Sequence, residues 1–342
     1  MIAIRVDGNS EIATGHIMRC LAIANSLKKI DQECVFIVAD DNSKQLLVNS
    51  GFPIINLHSV WNDLETEISQ ITEVILKNRI DKIIVDTYFV TETYLSAVLR
   101  ICKVIYIDDL NAFIYPVSIV VNYNLYGLDI PYSDIYQETN TKLLLGPKYA
   151  PLRDEFRDIN PCFRNNVDKI LITAGGTDTF NVAGQIITKV VADDFFKGIE
   201  FHVVAGRLNS HITELKTMAE NHPSVVIHQN VQKMSELMLD CDIAITAGGS
   251  TMYELCACGV PSICFSWADN QLPGVKAFSE RGLMESAGDI RDNREKCIQT
   301  LIIHLKDYIT NADKRYIHST HMREITDGNG AKRLADEILQ IQ

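Results

Sequence analysis

The chain contains no run of about 18 consecutive apolar residues, the length that a membrane-spanning helix needs, and no cysteine spacing that marks a zinc site or a disulfide framework. Its nine cysteines are scattered, and only Cys256 and Cys258 come close in sequence. Nine histidines show no HExxH or comparable ligand spacing, which argues against a metal centre. There is no GxxxxGK phosphate loop, no GxGxxG dinucleotide fingerprint and no GxSxG nucleophile turn. The amino terminus lacks the basic region and apolar core of an export signal. Basic residues are outnumbered 32 to 44 by acidic ones, and the net charge of −12 excludes broad, non-specific nucleic-acid binding. A local cationic pocket for a phosphate remains compatible with that balance. These absences lead to the expectation of a soluble, cytoplasmic protein without a membrane span, nucleic-acid partner or cofactor, its thiols reduced and mostly buried.

What is present is a regular α/β grammar. At 342 residues, 46% of them hydrophobic, the chain exceeds one ordinary core, and two domains are expected. Short apolar runs at 2–6, 33–39, 52–57, 82–85, 103–107 and 119–122 alternate with stretches of helical spacing. That alternation predicts a parallel sheet covered on both faces. From 123 to 164 the pattern gives way to Tyr, Pro, Gly and Asn, and it restarts with strands at 169–173, 200–205, 225–228, 242–246 and 260–265. The tail from Arg294 reads as helical. The fold class is α/β in two successive halves: residues 1–150, a connection at 151–166, a second half at 167–320 and a terminal helix at 321–342.

Open parallel sheets bind ligands at the loops that follow their strands, and several such loops carry chemistry. After the first strand, His16 falls on the first residues of a helix. Unpaired N–H groups and the positive end of the helix dipole disfavour an imidazolium there, so a neutral ring able to accept a proton is expected; simple helix capping is the alternative. Two Gly-Gly turns, Gly175-Gly176 and Gly248-Gly249, each follow a strand and precede a helix, where backbone can approach a phosphate. Thr251 and Glu254 fit a capping box, and chemistry alone favours that reading over a carboxylate on ribose hydroxyls. Asn270 and Gln271 offer amides suited to hydroxyl or acetamido groups, or form an ordinary polar loop. Asp86, Tyr88, Asp108 and Asp109 lie at strand ends, where they could share a cleft with His16 or cap helices.

Together these segments resemble the nucleotide-sugar hydrolases of pseudaminic acid biosynthesis (UDP-2,4-diacetamido-2,4,6-trideoxy-β-L-altropyranose hydrolase, PseG) and spore coat polysaccharide proteins of the SpsG type. The pieces that carry the resemblance are Arg5-Val6-Asp7, Thr14-Gly15-His16 through Leu21, Asp86-Thr87-Tyr88, Ile107-Asp108-Asp109-Leu110 and Leu145-Gly146-Pro147 through Arg153. In the second half they are Gly175-Gly176-Thr177-Asp178, Ala247-Gly248-Gly249 through Glu254, and Asp269-Asn270-Gln271. The resemblance implies two Rossmann-like doubly wound domains of GT-B architecture with a cleft between them, similar to the glycosyltransferase of lipid II assembly (MurG). It implies a catalytic His16 and a sugar site drawn from Arg5, Asp7, Gly15, Asp86, Tyr88, Asn270 and Gln271. It further implies a UDP site made of Gly175, Gly176, Gly206, Gly248, Gly249, Ser250, Thr251 and Glu254. The expected activity is inverting hydrolysis of a UDP-linked diacetamido sugar, with other enzymes of the same sugar pathway as possible partners. The rival readings are a GT-B glycosyltransferase using a UDP-sugar donor and a non-catalytic nucleotide-sugar-binding protein. One departure concerns Ala13, where the family usually has glycine in the turn that holds His16.

Overall fold

The computed structural model of the chain describes residues 1–9, 14–161, 163–206 and 209–341, so Ala13 lies outside the described residues. The chain forms two compact units, one of residues 1–154 with 328–342 and the other of residues 155–327.

The first unit is built on seven parallel strands: β1 Ile2–Val6, β2 Cys34–Val38, β3 Ile54–Asn56, β4 Lys82–Asp86, β5 Lys103–Ile107, β6 Ile119–Asn122 and β7 Lys142–Leu145. Their order is β3-β2-β1-β4-β5-β6-β7. All five residues of β1 and of β2 are buried, as expected of a parallel sheet with helices on both faces. The strand order reverses direction between β1 and β4, which pair in register from Ile2↔Lys82 to Val6↔Asp86. The loops leaving those two strands therefore flank the crevice where such sheets bind ligands.

Strand β7 corrects the expectation of an irregular connection after residue 122. Leu143 and Leu144 pair with Val120 and Val121, closing the sheet inside a segment dominated by turn residues. The terminal helix is also divided: one helix ends at Arg323 and the next runs Gly330–Gln340. Asp327-Gly328 interrupts it, with Gly328 at φ 76°. The last helix belongs to the first unit. Ala331, Leu334, Ala335 and Ile338 form its buried stripe at i, i+3, i+4 and i+7. Gly330 has no room for a side chain, because a Cβ would collide with the Ala150 backbone.

The second unit has six parallel strands: β8 Lys169–Thr173, β9 Glu200–Val204, β10 Val225–His228, β11 Ile243–Ala247, β12 Ser262–Ser266 and β13 Glu285–Asp289. The order β10-β9-β8-β11-β12-β13 reverses between β8 and β11. Each Gly-Gly turn thus leaves one side of this second switch point. Strand β13, with the sequence ESAGD, carries no apolar run; its pairing to β12, not its composition, makes it a strand. Among the described residues no helix is long and apolar enough to cross a membrane.

Candidate active site

The helix Gly15–Lys28 begins in the loop after β1 and sets His16 and Arg19 one turn apart on a buried face. Both reach Asp86, the last residue of β4. Arg19 grips the carboxylate in a fork, donating from Nε to Oδ2 at 2.7 Å and from Nη2 to Oδ1 at 2.6 Å. His16 Nδ1 lies 2.6 Å from the same Oδ1. Burial alone would push the Asp86 carboxyl up, but Arg19 and His16 outweigh it and hold the group well below the usual carboxylate range. Asp86 is therefore ionised and can only accept hydrogen bonds. A ring that donates to this carboxylate does so from Nδ1, which turns Nε2 away from Asp86. The result is an imidazole held by a buried carboxylate.

The surroundings fix that ring further. Tyr88 meets it edge-on with centroids 4.7 Å apart. Arg19 also donates to Asp109 Oδ2 at 2.8 Å and to the Tyr123 hydroxyl at 2.8 Å. Burial raises the Tyr123 phenol, with Arg19 opposing, to about 12, so it stays protonated. The Cys20 thiol donates to Asp86 Oδ2 at 3.3 Å, and burial pushes it up well away from thiolate chemistry. Among the described residues no group of His, Cys, Asp and Glu could hold a metal ion.

Two neighbouring carboxylates divide their roles. Asp109 joins the Arg19 cluster, whereas Asp108 accepts from the backbone N–H groups of Leu110 and Asn111 and from the hydroxyls of Tyr115 and Tyr132. Asp108 braces a turn. Arg5 and Asp7, both expected on substrate, require a correction. Arg5 is 0% exposed and donates to Glu67 from Nε at 2.7 Å and Nη2 at 2.9 Å, and to Asp7 from Nη1. Asp7 also accepts from Ala39 N at 2.8 Å. The guanidinium is directed at Glu67 and Asp7 inside the core, not at solvent. This pair instead ties the end of β1 to Glu67 and to the Ala39 backbone. Gly15 is exposed, and a Cβ there would meet nothing within 4 Å, so its place is not set by packing.

In the second unit, Gly175 adopts φ +88°, a left-handed conformation that favours glycine. Gly206, after β9, sits so close to Gly176 that a Cβ would collide with the Gly176 carbonyl oxygen. Gly206→Ala is accordingly expected to cost roughly 1–3 kcal/mol and to displace the Gly175-Gly176 turn; urea unfolding of the variant measures the first. Gly248 is packed against Val275 and Gln271, while Gly249 faces open space. The capping box expected at Thr251 and Glu254 does not form. The helix Thr251–Cys258 has Ser250 at its N-cap, so Thr251 is already its first residue, and the Ser250 side chain makes no cap hydrogen bond. By contrast, the helix Val182–Val191 receives the Asp178 carboxylate, which accepts from Val182 N at 2.7 Å and Ala183 N at 3.1 Å. Burial nonetheless lifts Asp178 to about 6. Gln271 spends its Oε1 on the backbone N–H of Trp267 at 3.1 Å, and Asn270 is exposed on the 3-10 turn Asp269–Gln271.

Residues 170–337 match the glycosyltransferase family 28 C-terminal domain. The chain is 24% identical to the spore coat polysaccharide biosynthesis protein SpsG of Bacillus subtilis, over 99% of this chain and 97% of that one. It is 22% identical to the UDP-2,4-diacetamido-2,4,6-trideoxy-beta-L-altropyranose hydrolase of Campylobacter jejuni, over 77% of this chain and 91% of the hydrolase. The chain is PseG/SpsG-like. It is also 28% identical, over 77% of its length, to an uncharacterized protein of Methanocaldococcus jannaschii, and spans about half, 54%, of that relative. Acinetobacter baumannii MurG is a structural neighbour with TM-score 0.67 at 13% identity, covering 99% of both chains. At that identity the likeness concerns the fold, two Rossmann-like domains of GT-B type.

In this PseG/SpsG-like chain the second-half match begins inside β8 and reaches into the last helix, which packs with the first unit. Reading the sequence brought out His16, Asp86 and Tyr88, and these three do meet. It did not give Arg19 a role of its own, nor Tyr123. The available signal was the i, i+3 spacing of His16 and Arg19 on a helix start, which puts an arginine one turn below the histidine.

Proposed function

We propose that this protein is an enzyme of sugar biosynthesis that acts on a nucleotide sugar, and that it hydrolyses a UDP-linked 2,4-diacetamido-2,4,6-trideoxy sugar. The observation that carries the reading is the buried His16–Asp86–Arg19 cluster at the β1/β4 switch point, in which Nδ1 faces Asp86 and the neutral ring assigned here would accept a proton at Nε2. His16 takes a proton from water, the water oxygen attacks the anomeric carbon with inversion, and the bond to the diphosphate oxygen breaks with its electron pair leaving on UDP. The leaving group needs little protonation because its charge is spread over phosphate oxygens. The carboxy-terminal unit supplies the nucleotide grip. Of its two glycine turns, the one at Gly248 leads into a helix start where the Ser250 side chain makes no cap hydrogen bond, which suits an anion, whereas Asp178 already occupies the other helix start.

Glu254 is assigned to the ribose hydroxyls, the role that the PseG/SpsG resemblance implies. Glu254→Gln should weaken UDP binding by about tenfold or more, the value of one charge-assisted hydrogen bond; calorimetry with UDP checks this. The reaction itself is tested by incubating a panel of UDP-sugars with enzyme alone. Release of UDP and free sugar, with the first-formed anomer inverted by NMR, supports hydrolysis. The family 28 match favours one second reading, transfer to an acceptor hydroxyl. UDP release only when an acceptor is added would establish transfer instead.

A further inference from the structure

Trp267 follows β12 on the ligand edge of the second sheet, and its indole packs partly against the core of that unit. Its Nε1 is shut off from solvent and has no hydrogen-bond partner among the described residues. It lies close to the glycine turn: a Cβ built on Gly175 would stand 3.6 Å from Nε1. The loop that carries the indole is held in place, since Gln271 accepts the backbone N–H of Trp267 at 3.1 Å. A fixed donor has thus been set under a glycine turn and spent on nothing, although an unmade buried hydrogen bond is costly and phenylalanine would fill much of the space without that cost. Gly175 bears no side chain, and a Cβ on Gly176 would touch nothing within 4 Å. The turn can therefore lift without pulling a side chain from the core.

We propose that the Trp267 indole N–H is a positioning donor for the nucleotide, exposed when the Gly175-Gly176 turn shifts and donating to a phosphate oxygen of the bound diphosphate. An indole N–H only donates, so its ligand atom must be an acceptor, and phosphate oxygens are the acceptors that a glycine turn admits. The inference rests on the nucleotide-binding reading of this unit. It makes Trp267 costly to the free protein and useful to the complex.

Trp267→Phe separates those two effects. The variant should melt no lower than the unsubstituted protein, yet bind UDP about tenfold or more weakly, with uridine affinity unchanged. The chain has two tryptophans, so Trp61→Phe leaves one indole, whose ¹⁵N–¹H signal should move downfield on addition of UDP and not of uridine. Unchanged UDP affinity in Trp267→Phe, equal losses for UDP and uridine, or an indole signal indifferent to saturating UDP would each overturn the proposal. Absence of UDP binding by the unsubstituted protein is a separate result, and would refute the nucleotide reading itself.

Discussion

His16→Asn is expected to lower turnover by roughly 10²–10⁴-fold, the span that a positioned general base contributes, while UDP affinity and melting temperature stay near those of the parent. Asparagine is small enough for the site and can still donate to Asp86 Oδ1, where the ring nitrogen stands at 2.6 Å. The Arg19–Asp86 fork persists in that variant, so the fold loses little. What disappears is the lone pair of Nε2. Steady-state rates of UDP release, paired with calorimetry, measure both halves of the expectation. A variant that turns over normally while binding UDP normally would remove His16 from the mechanism.

Asp86→Asn is expected to do more harm, because it acts on charge as well as on the ring. Arg19 is buried and loses the partner that meets it through two nitrogens, keeping Asp109 alone among its carboxylates. Breaking a buried ion pair from one side costs about 3–5 kcal/mol, to be read from urea unfolding at neutral pH. Catalysis should fall as well, by roughly 10²–10⁴-fold, since an amide can turn its NH₂ toward Nδ1 and favour the tautomer that places the proton on Nε2. Acid tests the charge argument. The Asp86 carboxyl is held below its unfolded value, so its contribution is fully present above about pH 4 and is lost as pH falls toward its folded value. The stability gap between the parent and Asp86→Asn should therefore narrow below about pH 4. A gap that stays constant down to strong acid would mean that the carboxylate charge is not what stabilises the cluster. Loss of activity without loss of stability would show that Arg19 does not depend on Asp86.

Sequence by itself determined the grammar of this protein: apolar strands buried on both sides, helices between them, and loops at strand ends where His16, Asp86 and the two glycine turns fall. Those features are local, because strand and helix periodicities and the backbone needs of Gly175 are written within a few neighbouring residues. Partner choice was decided only by tertiary structure. His16 and Asp86 are 70 residues apart, and Arg5 and Glu67 are 62 apart. Nothing in either neighbourhood says that the first pair meets at the strand-end loops while the second disappears into the core. Asp108 and Asp109 are adjacent and chemically identical, yet Asp108 braces a turn while Asp109 reaches Arg19. Strand β13 and the unformed capping box at Thr251 teach the same lesson from opposite directions: a polar pentapeptide becomes a strand because β12 pairs with it, and a fitting motif stays unused because its helix begins one residue early. Hydrogen bonds and charges are satisfied by whatever the fold brings within about 3 Å, and that distance is set by the packing of whole elements rather than by the order of residues along the chain.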